Sequence, residues 1–126
     1  MSETEPQSTA ALNREYLRMM CGDDPVFERE IVGEFMGLAD QMLTEISEAI
    51  RTADPKRLSE AAHSLKGSSR SLGAAPLGDL CEEFETAGRQ GLAMGADDLE
   101  RLRAEYARVE SEIREKVLPE SDSAAA

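Results

Sequence analysis

Two Asp-Pro pairs, Asp24-Pro25 and Asp54-Pro55, constrain this chain more than any other feature. In each, the aspartate suits the cap of a helix N-terminus, and the proline, which has no N–H to lose, suits the first helical position. Between the two pairs, Phe27, Ile31, Phe35, Leu38, Met42, Ile46 and Ile50 recur at steps of three or four, the period of a helix with one apolar face. The pattern predicts a long helix from Pro25 to about Thr52. The short Thr52-Ala53 joint then makes the next helix antiparallel to it.

The remaining segments follow the same period. Leu12, Tyr16, Leu17 and Met20 give a short first helix, ended by Cys21-Gly22-Asp23. The third helix buries Leu58, Ala61, Ala62, Leu65 and Leu72 and ends near Gly73. Pro76 opens a fourth, with Leu77, Leu80, Cys81, Phe84 and Ala87 inward, while Gly88, Gly91 and Gly95 fall around its end and the following loop. Asp97 or Asp98 starts a fifth, carried by Leu99, Leu102, Tyr106, Val109, Ile113 and Val117. No segment alternates as a strand does. The expected fold is all-α: an antiparallel up-down four-helix bundle with a short additional N-terminal helix. Residues 1–8 and 119–126 read as disordered tails around one helical-bundle domain at 9–118.

Charge narrows the function. The formal net charge is -12, from 14 basic and 26 acidic residues, which argues against nucleic acid and against anionic lipid. No apolar run approaches the roughly 18 residues of a membrane span, and the acidic N-terminus lacks the basic and apolar regions of a signal peptide. Cys21 and Cys81 have no framework spacing and read as reduced thiols, Cys81 as a core residue. A soluble cytoplasmic protein is expected.

Against this acidic background stands the only histidine, His63. At about 100° per residue it points nearly opposite the Leu58–Leu65–Leu72 stripe. Lys56, Lys66 and Arg70 lie along its own face at i−7, i+3 and i+7, and Gly67 falls about 40° away. From Pro55 to Ala75 there are four cations, Lys56, Arg57, Lys66 and Arg70, against Glu60 alone. A glycine inside a helix costs about 1 kcal/mol relative to alanine. On the outer face it does nothing for the core, but it clears room for another molecule to approach the imidazole. An exposed imidazole is a competent nucleophile, and a cationic patch can support a phosphoryl group through charge-assisted bonds. Nothing nearby forms a triad, so the histidine suits a group that others load and unload.

Ala62-His63-Ser64-Leu65-Lys66-Gly67-Ser68-Ser69, followed by Leu72-Gly73-Ala74, Leu77, Leu80-Cys81 and Glu85, resembles the histidine-containing phosphotransfer (HPt) domain family. The resemblance covers about residues 10 to 117, including the Gly22-Asp23-Asp24 turn and the Asp54 joint. It implies that His63 accepts a phosphoryl group from a phospho-aspartate on a response-regulator receiver domain, or from a hybrid histidine kinase, and passes it to another receiver. It implies that Lys66 supports the phosphoryl oxygens and that Gly67 permits close docking. Arg70 and Lys56 join them on the helical-wheel argument alone. Ser68 and Ser69 match small positions that pack beside the core and back-bond to the helix. The resemblance implies Mg²⁺ on the partner receiver and no cofactor or metal on this chain, which is expected to be a monomeric phosphocarrier and not an enzyme.

Rival readings are weaker. Glu60-Ala61-Ala62-His63 has the Glu-x-x-His spacing of di-iron bundles, but those sites need two such motifs projecting inward. Gly88, Gly91 and Gly95 form no phosphate-cradling loop, so no autokinase activity from ATP is expected. The competitor from another class is a helical adaptor that binds response regulators and carries no phosphate.

Overall fold

The computed structural model describes residues 10–118, so the tails read at 1–8 and 119–126 lie outside the described residues. Five helices follow in order: α1 Arg14–Met20, α2 Pro25–Arg51, α3 Pro55–Leu72, α4 Ala75–Gln90 and α5 Ala96–Lys116, with no strand among the described residues. The long helices α2 to α5 form the antiparallel four-helix bundle, and α1 packs against α2 and α3.

Both Asp-Pro signals act as expected. The Asp24 carboxylate accepts from the N–H groups of Val26 and Phe27, and Asp54 accepts from that of Arg57. At the other end of α3, Gly73 turns left-handed at φ 96°, which lets Ala74 N–H reach back to the Ser69 carbonyl at 2.8 Å. The Gly73 carbonyl also accepts from Asn13 N–H at 2.8 Å, tying the N-terminal segment to the end of α3. Helix α5 starts at Ala96, slightly before the expected aspartates. Asp98 acts from inside the first turn by accepting the Gly95 N–H at 2.9 Å.

The core matches the expected stripes on α3 and α4, with Leu65, Leu77 and Phe84 fully buried. On α5, Leu102 and Ile113 are fully buried, whereas Leu99 is only half-buried and Val117, buried, caps the helix end. Helix α2 differs. Its buried line runs through Val32, Phe35, Ala39, Leu43, Ile46 and Ala49. Phe27 is exposed, and Ile31, Leu38, Met42 and Ile50 are only half-buried. Residue size explains the rotation: the small Ala39 and Ala49 face the bundle interior, whereas a pattern read from large apolar residues shifts the inferred face toward Phe27 and Leu38. Met20 of α1 is likewise exposed, and Leu12, buried, lies just before α1 instead of within it.

Helices α3 and α4 make the closest pair. Gly88 lies inside α4, where an added Cβ would come within 2.6 Å of the Pro55 carbonyl oxygen and 2.7 Å of the Ser59 nitrogen. That close approach positions the outer face of α3 against specific side chains of α4.

Candidate functional site

Helix α3 buries Leu58, Ala61, Ala62, Leu65, Ser69 and Leu72, and this turns His63 outward with 65% of its side chain exposed. A Cβ on Gly67 would meet nothing within 4 Å, so the surface one turn beyond His63 is open, as the wheel implies. The Ser69 hydroxyl corrects one expectation. It is buried without a hydrogen-bond partner, so it does not back-bond to the helix.

The imidazole is exposed but not unattended. His63 Nδ1 lies 2.9 Å from Oε2 of Glu85, a residue of α4 whose side chain is only 2% exposed. An ionised carboxylate can only accept, so the bond assigns the ring proton to Nδ1 and leaves the lone pair of the neutral imidazole on Nε2. Glu85 Oε1 in turn sits 2.7 Å from Lys66 Nζ, and Arg89 of α4 bonds Oε2. An interior carboxylate carries a desolvation penalty of several kcal/mol unless it is well paired. Here the Lys66 ammonium, then the His63 bond and the charge of Arg89, hold the Glu85 carboxyl below its usual range against the opposing effect of burial.

Lys66 therefore stands beside His63, as expected, but its ammonium is anchored on a buried acid. Arg70 is committed elsewhere: its guanidinium pairs with Asp79 at 3.0 Å and Glu82 at 2.7 Å, both on α4, and its stem covers Gly78. Arg57 pairs with Glu45 of α2 at 2.8 Å. Lys56 is exposed near the start of α3, about two turns or roughly 10 Å along the axis from His63, and does not join the His63–Glu85 pair. The cationic island counted along the sequence is thus largely matched by carboxylates from neighbouring helices, which a one-dimensional count cannot register.

Two participants escaped the reading of the sequence. Glu85 matches the family pattern in the sequence with no role attached to it, and no spacing or motif points to Arg89. The signal for Glu85 was an acid set among Leu77, Cys81, Phe84 and Gly88 on the buried stripe of α4, where an unpaired charge would be costly.

Beside the imidazole lies a second unforeseen feature, an open groove of about 670 Å³. Its apolar walls include Leu17 and Met20 of α1 and Phe27, Ile31 and Leu38 of α2; His63, Ser64, Gly67 and Ser68 form the α3 side. Three of the large residues that α2 does not fully bury, Phe27, Ile31 and Leu38, line it. Cys21 also borders the groove, but burial raises its thiol pKa, with Glu28 and Asp24 adding to the effect; burial pushes Cys81 up to about 12. Neither thiol is disposed to ionise.

Among the described residues, no group of three or more His, Cys, Asp or Glu side chains is arranged to hold a metal ion. No helix among them is long and apolar enough to cross a membrane.

The family model described as Hpt domain matches residues 30–112, which include His63, Lys66, Gly67, Glu85 and Arg89. The chain is also 32% identical over 72 residues to Multistep phosphorelay regulator 1 of Schizosaccharomyces pombe (strain 972), a stretch covering 57% of this chain and 24% of that protein. The match therefore spans about a quarter of that relative's length.

Proposed function

Because this chain belongs to the Hpt domain family, we propose that it is a phosphocarrier of a phosphorelay, loaded on His63 by a receiver-domain aspartate and unloaded onto another receiver. One observation carries this reading: a solvent-facing imidazole whose Nδ1 is held by a buried carboxylate, at the edge of an open apolar groove. The bond to Glu85 directs reactivity to Nε2. That lone pair forms a bond to phosphorus while the acyl phosphate O–P bond breaks and its electron pair returns to the aspartate carboxylate. Reversal through a second aspartate unloads the ring. Such chemistry needs in-line placement and charge stabilisation more than covalent help.

Lys66 is the chain's own candidate to meet the phosphoryl oxygens, since it already stands next to the ring. Gly67 leaves room for the receiver's active-site edge. The groove along Met20, Phe27, Ile31 and Leu38 offers that receiver an apolar seat. Arg70 and Lys56 contribute at most to the surrounding field, Arg70 because Asp79 and Glu82 engage it. The proposal assigns Mg²⁺ to the receiver and requires no cofactor, ATP site or autokinase activity of this chain. A monomer acting in the cytoplasm fits its acidic composition and buried free thiols. The name of the fission-yeast relative adds support for a relay role.

The test is incubation with phosphorylated receiver domains. Acid-labile, alkali-stable label on this chain is expected, followed by its loss to a second receiver. No label across a broad panel of receivers would instead favour the adaptor that binds regulators without carrying phosphate.

A further inference from the structure

The bond between His63 and Glu85 bears on unloading as much as on loading. Attack through Nε2 leaves the ring with its proton on Nδ1 and a formal positive charge. When the N–P bond later breaks, the electron pair returns to Nε2. The departing ring is neutral imidazole if Nδ1 has kept its proton. If Nδ1 has lost it, the departing ring is imidazolate, a much stronger base and a much poorer leaving group. Whatever holds the proton on Nδ1 governs how readily the phosphoryl group leaves.

We propose that Glu85 is a positioning residue that keeps the phosphorylated ring of His63 in its Nδ1-protonated, dischargeable form and thereby sets the lifetime of the phosphohistidine. The inference rests on His63 being the acceptor. Its geometric basis is the 2.9 Å contact from Nδ1 of a ring that is 65% exposed to a carboxylate oxygen whose side chain is 2% exposed, so the acceptor on that side of the ring is a fixed protein charge. A charged acceptor favours the protonated ring far more than a neutral one would.

The charges around the ring reinforce the effect. Lys66 of α3 and Arg89 of α4 both face Glu85. Glu60 is exposed one turn before His63 on α3, Glu34 of α2 borders the groove, and Arg70 is held by Asp79 and Glu82. A phosphoryl dianion on Nε2 competes with Glu85 for the two cations. The Arg89 side chain is paired with Glu85 but 67% exposed, which leaves it room to turn toward the phosphoryl group. As the cations turn to the phosphoryl oxygens, less of the Glu85 charge is offset and more of it acts on Nδ1–H. In hydrolysis, a water oxygen bonds to phosphorus, the N–P pair returns to Nε2, and the water's proton passes to phosphate or solvent. The Nδ1 proton stays in place throughout.

The experiment uses the full chain loaded by potassium phosphoramidate, a small-molecule donor that needs no partner protein. After removal of the donor, loss of the His63 phosphoryl signal is followed by ³¹P NMR from about pH 5 to about pH 8 in the wild type and in Glu85→Gln. At about pH 5, where acid in solution can supply the proton that the leaving ring needs, the two proteins should discharge alike. At about pH 8 the variant should hold its phosphate at least roughly threefold longer. Superimposable pH profiles, or faster loss in the variant at the higher pH, would overturn the role of Glu85. A wild type that takes no label on His63 would reject the acceptor reading itself, a distinguishable result. Should Glu85→Gln fail to fold, the ¹⁵N spectrum of the wild-type imidazole decides: a proton on Nδ1 is expected, and a proton on Nε2 contradicts the assignment.

Discussion

His63 and Glu85, 22 residues apart in sequence, meet across the α3–α4 interface at 2.9 Å. One is mostly in solvent and the other is almost wholly buried, so a reactive surface group is braced by an interior charge. Lys66 and Arg89 complete the cluster and make the buried carboxylate tolerable.

That cluster makes stability depend on acid. The folded-state pKa of Glu85 is lowered, first by Lys66 and then by His63 and Arg89, with burial opposing them. Its contribution is therefore present above the unfolded carboxyl value of about 4.3 and lost as pH falls through the folded value. Thermal melts of wild type and Glu85→Gln should differ most near neutral pH and converge as the solution is acidified through that range. A difference that stays constant down to about pH 2 would show that the ion cluster is not its source.

Two glycines should respond in opposite ways. Gly67→Ala meets open space and should raise stability by up to about 1 kcal/mol through helix propensity. Gly88→Ala puts a Cβ 2.6 Å from the Pro55 carbonyl oxygen and should destabilise by about 2 kcal/mol or more as α3 and α4 separate. Urea unfolding checks both. Gly67→Phe should in addition slow transfer from a receiver while the fold persists.

Ser69→Ala is expected to stabilise. The hydroxyl is fully buried with no hydrogen-bond partner, and an unsatisfied buried polar group costs about 1–3 kcal/mol. A gain near 1 kcal/mol by urea titration is anticipated. A loss of that size would show that the hydroxyl has a partner or fills a volume that alanine leaves empty.

The groove should matter for association but not for the intrinsic reactivity of His63. Phe27→Ser and Ile31→Ser remove exposed or half-buried apolar surface. They should weaken receiver binding by about tenfold, on the 1.4 kcal/mol per decade scale, and leave loading by phosphoramidate unchanged. Calorimetry with a receiver domain and ³¹P NMR separate the two effects. Because Arg57, Lys66 and Arg70 are paired within the protein, added salt should weaken receiver binding only modestly.

The helices were legible because their signals are local. Asp24 and Asp54 cap in the places their sequences imply, Gly73 ends α3, and the outward turn of His63 follows from the apolar stripe behind it. What stayed hidden depends on which helices meet. Small residues at Ala39 and Ala49, not the largest apolar ones, define the buried line of α2, so Phe27 and Leu38 were released to the groove. The pairing of Arg70 with Asp79 and Glu82, and of His63 with Glu85, requires the α3–α4 packing that Gly88 allows. No periodicity within one helix specifies a partner on the next.

Locating the phosphoryl group after transfer from a labelled receiver is the most direct test of all. Fragment-ion mass spectrometry at neutral pH should find it on the imidazole of His63 alone, and His63→Gln, folded by circular dichroism, should carry none. Label persisting on the His63→Gln chain, or found on any other side chain of the wild type, would contradict the assignment of His63 as the phosphate carrier.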